Sequence, residues 1–212
     1  MNKLIFTIVA ILLLNFAPLI GRPELILHFK SLTLAFAAGC LWLSQPAFST
    51  SETKRDKSSD RLSIVVILIM SSLSVVASVV EWAYANNAVE YSRPLTLLGA
   101  ALLAGGIIIR VWAIRTLGKH FTATVTLTSD HQLVCSGPYQ WVRHPSYLGA
   151  FMAIVGAPVF LNAGWAVVMA IAAMSIAYYL RIGVEEKMLS DYFGEQYIDY
   201  KKHTKRIIPF IW

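Results

Sequence analysis

The chain has 212 residues, 57% of them hydrophobic and only 14% charged, with a mean hydropathy of +0.60. An ordinary soluble domain carries roughly 25% charged residues, so this composition argues against a soluble globule and for an integral membrane protein of one domain. A formal charge of +6 would suggest nucleic acid in a soluble protein, but basic loops beside a bilayer account for it more simply.

Six apolar stretches follow in chain order: Leu4 to Ile20, Leu25 to Leu43, Leu62 to Tyr84, Leu95 to Leu117, Tyr147 to Leu161 and Gly164 to Leu180. A bilayer core of about 30 Å takes about 20 helical residues, so the third and fourth are long enough alone. The first follows Lys3 as a secretory leader would, yet it runs into "NFAPLIGRPE" without a small-residue cleavage site, which reads as an anchor helix. The fifth and sixth are shorter and joined by "NAG" (Asn162 to Gly164), which predicts a helical hairpin whose ends extend into polar sequence. Beyond it, Leu189, Tyr192, Phe193, Tyr197 and Tyr200 give the tail one apolar helical face, suited to resting on headgroups or roofing a site.

The expected fold class is therefore all-α: a polytopic membrane protein with about six transmembrane helices, a C-terminal helical hairpin and an amphipathic cytoplasmic tail helix. Residues 1–93 supply N-terminal transmembrane helices and 94–212 the functional region, all in one compact membrane domain. No internal repeat is evident. Most of the 18 Lys and Arg fall on one side of a six-span arrangement, in the loop "SETKRDKSSDR", around Arg115 to Arg143 and in the tail, which places both termini on the cytoplasmic side. Cys40 and Cys135 form no disulfide framework, and no Cys/His spacing suits a metal.

The stretch "SGPYQWVRHPSYLGA" (Ser136 to Ala150) crowds polar side chains at the mouth of the fifth apolar segment. "SGP" predicts a turn in which Gly137 is free to take positive φ. Pro145 suits the first position of a helix, and His144 before it is driven towards an extended backbone. The helix start there favours a carboxylate or phosphate, and the aromatics offer flat faces to a base or cation. Trp141 and Arg143 alone fit an interfacial belt as well as a ligand site. At the other end of the hairpin, "YYLRIGVEEKM" sets Arg181 and Glu185 four apart on one helical face, with Glu186 pointing elsewhere. Hairpin closure brings that pair beside His144, Ser146 and Tyr147. Ionisable residues at membrane depth are costly and usually functional, which brings Arg110 in the fourth span under the same suspicion, against a snorkelling alternative.

"HQLVCSGPYQWVRHPSYLG" (His131 to Gly149), "RIGVEE" (Arg181 to Glu186) and the ending "FGEQYIDYKKHTKRIIPFIW" resemble the isoprenylcysteine carboxyl methyltransferase family, over about the last hundred residues. The resemblance implies S-adenosylmethionine as methyl donor, in a cytoplasmic pocket roofed by the tail. By motif position, His131, Gln132, Leu133 and Val134 would contact it as an extended segment, with Tyr139, His144, Pro145, Ser146 and Tyr147 completing the pocket. Glu185 matches the family's cofactor-contacting glutamate and Arg181 its substrate-facing arginine; these two are the catalytic candidates, with Arg110 joining Arg181 on the substrate side. The implied acceptor is a lipophilic or prenylated carboxylic acid drawn from the membrane, its tail entering near the fourth span. Neither nucleic acid nor an obligatory protein partner is implied. Phospholipid or other lipophilic amine or thiol methyltransferases and NADPH-dependent sterol reductases share parts of the pattern and remain alternatives.

Overall fold

The computed structural model describes residues 3–45, 58–86, 92–121 and 132–208. Among them the regular structure is helical: α1 Lys3–Ile11, α2 Phe29–Ser44, α3 Ser58–Val80, α4 Arg93–Leu117, α5 Pro145–Leu161, α6 Gly164–Phe193 and α7 Glu195–His203. Three segments, Leu62–Ala85, Arg93–Leu117 and Gly164–Phe193, are long and apolar enough to cross a membrane; Lys3–Leu19, Phe29–Ser44 and Pro145–Leu161 are apolar but shorter. Large side chains such as Trp165, Leu27, Ile20 and Phe36 point outward, as an apolar solvent permits and water does not. The chain is an integral membrane protein of the all-α class.

The N-terminal stretch is less regular than a plain anchor. α1 loosens into a π turn at Leu12–Phe16 and a 3-10 turn at Ala17–Leu19, where Pro18 removes an amide from the helical ladder. α2 begins late because His28 caps it: its backbone is extended and Nδ1 accepts the Lys30 amide at 3.2 Å.

What positions the later helices is the absence of side chains where they meet. α4 and α5 approach along Gly99 and Gly106 on one and Gly149 and Gly156 on the other. A Cβ added to Gly106 would lie 2.5 Å from the Gly149 carbonyl, and one on Gly149 2.5 Å from that of Gly106. Without a hydrophobic drive between helices in lipid, such backbone-to-backbone contact is what dispersion needs. It also brings Arg110 of α4 against Ser146 of α5.

The α5–α6 hairpin turns on Asn162, in the left-handed conformation (φ 63°). Its side chain donates to Thr96 Oγ1 at 2.9 Å and accepts the Ser92 amide at 2.9 Å, tying the corner to the start of α4. Glu81, at the end of α3, accepts the Trp165 and Ala166 amides at 3.1 and 2.7 Å and so caps α6.

α6 differs from the sixth apolar stretch by running past Leu180 to Phe193. Its polar residues Arg181 and Glu186 are buried with partners, so they need not end the helix. The tail is accordingly not one amphipathic helix. Leu189, Tyr192 and Phe193 belong to α6; Gly194 (φ 56°) breaks the chain; and α7 folds back with Tyr197 fully buried.

Candidate functional site

The opening motif folds largely as its residues dictate. Gly137 has φ 59° and begins a 3-10 turn, Gly137–Gln140. α5 starts at Pro145, whose missing amide costs nothing there. His144 has φ −125° as a residue before proline should, but ψ is 57°, short of fully extended, because its amide and carbonyl are both engaged. The amide donates to Arg206 O at 3.1 Å, and the carbonyl accepts from the Tyr147 and Leu148 amides. The helix start therefore meets an anion with part of its first turn already engaged.

The hairpin brings its two ends together. Tyr147 Oη donates to Glu185 Oε2 at 2.8 Å and accepts from Arg181 Nε at 3.2 Å. Arg181 also donates to Ser63 Oγ of α3 at 3.0 Å, so the guanidinium is held from two helices and is only 4% exposed. His144 Nδ1 lies 4.0 Å from Glu185 Oε1, whose side chain keeps 24% exposure. Arg181, Glu185, His144 and Tyr147 thus share one constellation, while Ser146 faces α4.

Arg110 is buried, and its Nη1 donates to Ser146 O and Ser146 Oγ, each at 2.9 Å. Its Nε has no hydrogen-bond partner among the described residues, and Tyr139, Tyr147 and Tyr178 surround it. Arg110 does not snorkel outward. A buried cation met by neutral partners is a place where an anion is stabilised.

Tyr139 is buried, its hydroxyl donating to Ala113 O at 3.4 Å and its carbonyl accepting from Tyr200 Oη at 2.6 Å. Burial, then the nearby charge of Glu185, pushes the Tyr139 phenol well above its ordinary range, so it stays a neutral donor. Gln132 is exposed, Leu133 and Val134 half-buried, in a segment that is neither helical nor paired as a strand; His131 lies outside the described residues.

Glu186 points away from Glu185, as its place on the helix predicts, and into the protein: it accepts from Arg143 Nε at 2.8 Å, Arg206 Nη2 at 2.7 Å and His144 Nε2 at 3.3 Å. Arg143 is likewise turned inward rather than serving as belt, whereas Trp141 is half-exposed against Trp112 as a belt residue would be. The signal for Glu186 was present: a carboxylate in a membrane helix needs a named partner. Ser63 had no signal in the sequence, since an isolated serine in an apolar segment marks nothing.

A groove of about 440 Å³ lies beside α4, lined by Cys40, Leu43, Ser44, Ile107, Val111, Ile114 and Arg115. It faces α2, while Arg110 is on the face of α4 that packs on α5, so the groove is separate from the constellation.

The fold and this site define a class: an all-helical membrane protein with a cluster of polar side chains where a helical hairpin closes. The comparisons say what the chain is similar to. Residues 97–191 match the model of the isoprenylcysteine carboxyl methyltransferase (ICMT) family. Protein-S-isoprenylcysteine O-methyltransferase of Saccharomyces cerevisiae is 40% identical over 118 residues, 55% of this chain and 49% of the relative. That of Tribolium castaneum is 37% identical over 119 residues (55% and 42%), and form B of Arabidopsis thaliana 35% over 116 (53% and 58%). The chain thus spans about half the length of the curated relatives it matches. A solved structure of the eukaryotic intramembrane Ras methyltransferase ICMT superposes with TM-score 0.68 at 28% identity, covering 99% of this chain and 75% of that one.

Proposed function

We propose that the chain is a membrane methyltransferase that moves a methyl group from S-adenosylmethionine to the carboxylate of a lipophilic acceptor of the isoprenylcysteine type, giving a methyl ester. The observation that carries this is the Tyr147 hydroxyl, which joins a carboxylate and a cation of opposite duty, Glu185 and Arg181, in one cluster.

The donor set fits the proposed methyl donor. A sulfonium and an amino group call for an anion, which Glu185 supplies from a partly open position. A carboxylate calls for a positive end, which the start of α5 at Pro145 offers, while Arg110, with its buried Nε, stands with Arg181 on the substrate side. Tyr139 and Tyr147 bring flat faces, His144, Pro145 and Ser146 form the wall at the start of α5, and Gln132, Leu133 and Val134 would line the entrance; motif position alone gives His131 the same duty. Bound there, S-adenosylmethionine supplies an electrophilic methyl group on sulfur.

Arg181 holds an acceptor carboxylate by charge-assisted donation and leaves it ionised. A carboxylate needs no general base near pH 7, which suits a site whose neutral tyrosines donate rather than accept protons. Alignment and exclusion of water are what remains for the protein to supply. One and two turns before Arg181, Tyr178 and Met174 join Ile67, Met70, Phe151 and Ile154 in an apolar cluster of α3, α5 and α6. The acceptor's lipid tail belongs along this surface rather than in the groove between α2 and α4. Residues 1–93 then frame the pocket through α3, and 94–212 carry the chemistry. The basic residues of the loops and tail support a cytoplasmic side for site and termini.

Calorimetric titration of the detergent-purified protein with S-adenosylmethionine, followed by a labelled-methyl assay over prenylcysteine analogues and lipid amines, tests the proposal. Glu185→Ala should lose donor binding, and Arg181→Ala should keep it and lose turnover. Wild-type affinity in the first variant, or label in a base-stable amine product, overturns the assignment.

A further inference from the structure

Behind the pocket, Glu186 gathers three donors from two separate stretches of chain. Arg143 and His144 come from the loop that leads into α5; Arg206 comes from the tail, some 60 positions later. The same two stretches are laced by backbone bonds: Arg143 N to Lys205 O at 2.8 Å, His144 N to Arg206 O at 3.1 Å and Lys205 N to Trp141 O at 3.1 Å. Arg143 Nη1 reaches across as well, to the Thr204 carbonyl. Val142 and Lys205 therefore run side by side as a parallel bridge.

A bridge this short does not hold itself. It offers few backbone bonds against the entropy of fixing a tail, and an isolated pair of strands is marginal in water. Glu186 answers this by placing one carboxylate, 7% exposed at its side chain, between an arginine from each stretch. Charge-assisted bonds at such burial are the strong kind. Removing their acceptor would leave two guanidinium groups facing each other in the same small space.

We propose that Glu186 is a positioning residue: through Arg143 and Arg206 it clasps the tail onto the loop before α5 and so fixes His144 and the roof over the pocket, without itself touching the methyl donor. This rests on the function proposed above. The two adjacent glutamates then have separate duties, Glu185 towards the guest and Glu186 towards the enclosure. Its neighbour Ser190 extends the clasp, accepting from Lys201 of α7 at 3.0 Å while donating to the Glu186 carbonyl at 2.6 Å.

The experiment reads the bridge and the pocket separately in the full chain. Amide hydrogen exchange is followed at Arg143, His144 and Lys205, and S-adenosylmethionine affinity is measured by calorimetry. Glu186→Gln, which keeps shape and loses charge, should speed exchange at all three amides by about tenfold or more and weaken the donor by a similar factor. Arg206→Gln removes only the tail's partner and should do the same to a smaller degree, which guards against a Glu186 variant that fails to fold. Weakened affinity with unchanged exchange would mean that Glu186 contacts the donor directly, and overturns the inference. Faster exchange with unchanged affinity overturns it too, because the clasp would then position nothing. If the wild-type protein binds no S-adenosylmethionine, the functional proposal fails while the exchange arm still decides whether the clasp exists.

Discussion

Replacing Tyr147 by phenylalanine deletes one oxygen and tests the centre of the site. That oxygen donates to Glu185 at 2.8 Å and receives from Arg181 at 3.2 Å, so two charged groups lose a common neutral partner. A hydrogen bond to a charged group contributes about 1.5–3 kcal/mol, and the longer bond belongs at the low end. Some of this returns, because Arg181 and Glu185 stand four apart on α6 and can close on each other for a few tenths of a kcal/mol. Ser63 still holds Arg181 from α3, so the guanidinium swings rather than leaves. The balance is a loss of about 2 kcal/mol, or roughly 30-fold in kcat/KM. The ring itself stays packed on Tyr178, 5.1 Å away, so the variant should still fold, with a melting temperature lower by a few degrees. The assay is steady-state methyl transfer to a prenylcysteine analogue, with kcat and KM separated. A variant within threefold of wild type, folded and equally stable, would refute the claim that this hydroxyl organises the pair.

Two further substitutions probe what holds the site in place. Gly149→Ala puts a methyl 2.5 Å from the Gly106 carbonyl and 2.9 Å from Arg110 Cβ. Overpacking of this kind costs about 1–3 kcal/mol, so the melting temperature in detergent should fall by several degrees and activity with it as Arg110 is pushed off Ser146; an unchanged melting curve would contradict the close approach of α4 and α5. Glu81→Ala strips the cap from α6 and should cost about 1–2 kcal/mol of stability. Because Trp165 and Arg181 are separated by about 24 Å of helix, donor affinity should stay at the wild-type value, and a large loss would mean that the two ends are coupled.

Reading the chain in order recovered what local chemistry controls. Pro145 starts α5, Gly137 turns with positive φ, Asn162 closes the hairpin, and Arg181 meets Tyr147 and Glu185, because each depends on residues a turn or a hairpin apart. The misses share another origin. α6 runs past its apolar stretch, as the hairpin's extension into polar sequence predicts, but no window along α6 contains the partners that keep Arg181 and Glu186 buried in it. Periodicity alone makes the tail one helix, but the left-handed Gly194 splits it, and α7 buries Tyr197 instead of lying flat. Ser63 and Arg206 enter the site from sequence positions 118 and 25 residues away from Arg181. Tertiary pairing of that kind overrides periodicity and leaves no local trace.

The consecutive glutamates illustrate why a membrane site is built this way. Successive residues on a helix point about 100° apart, so Glu185 and Glu186 cannot serve one ligand side by side without distortion. A helix at the membrane surface has one flank towards the pocket and another towards its own covering segment, and the two carboxylates divide along that line. His144 lies between them, 4.0 Å from one and 3.3 Å from the other, so the imidazole senses both pocket and roof. On the proposed function, a roof held in part by charge, beside the buried Tyr197, would open to a polar donor with less greasy surface exposed to water than a wholly apolar lid. An apolar lid over the same pocket would instead compete with the lipid tail of the acceptor for the same contacts. On the proposed function, separating the two by chemistry, ionic above and apolar below, would let one small bundle receive a water-borne guest from one side and a lipid-borne one from the other.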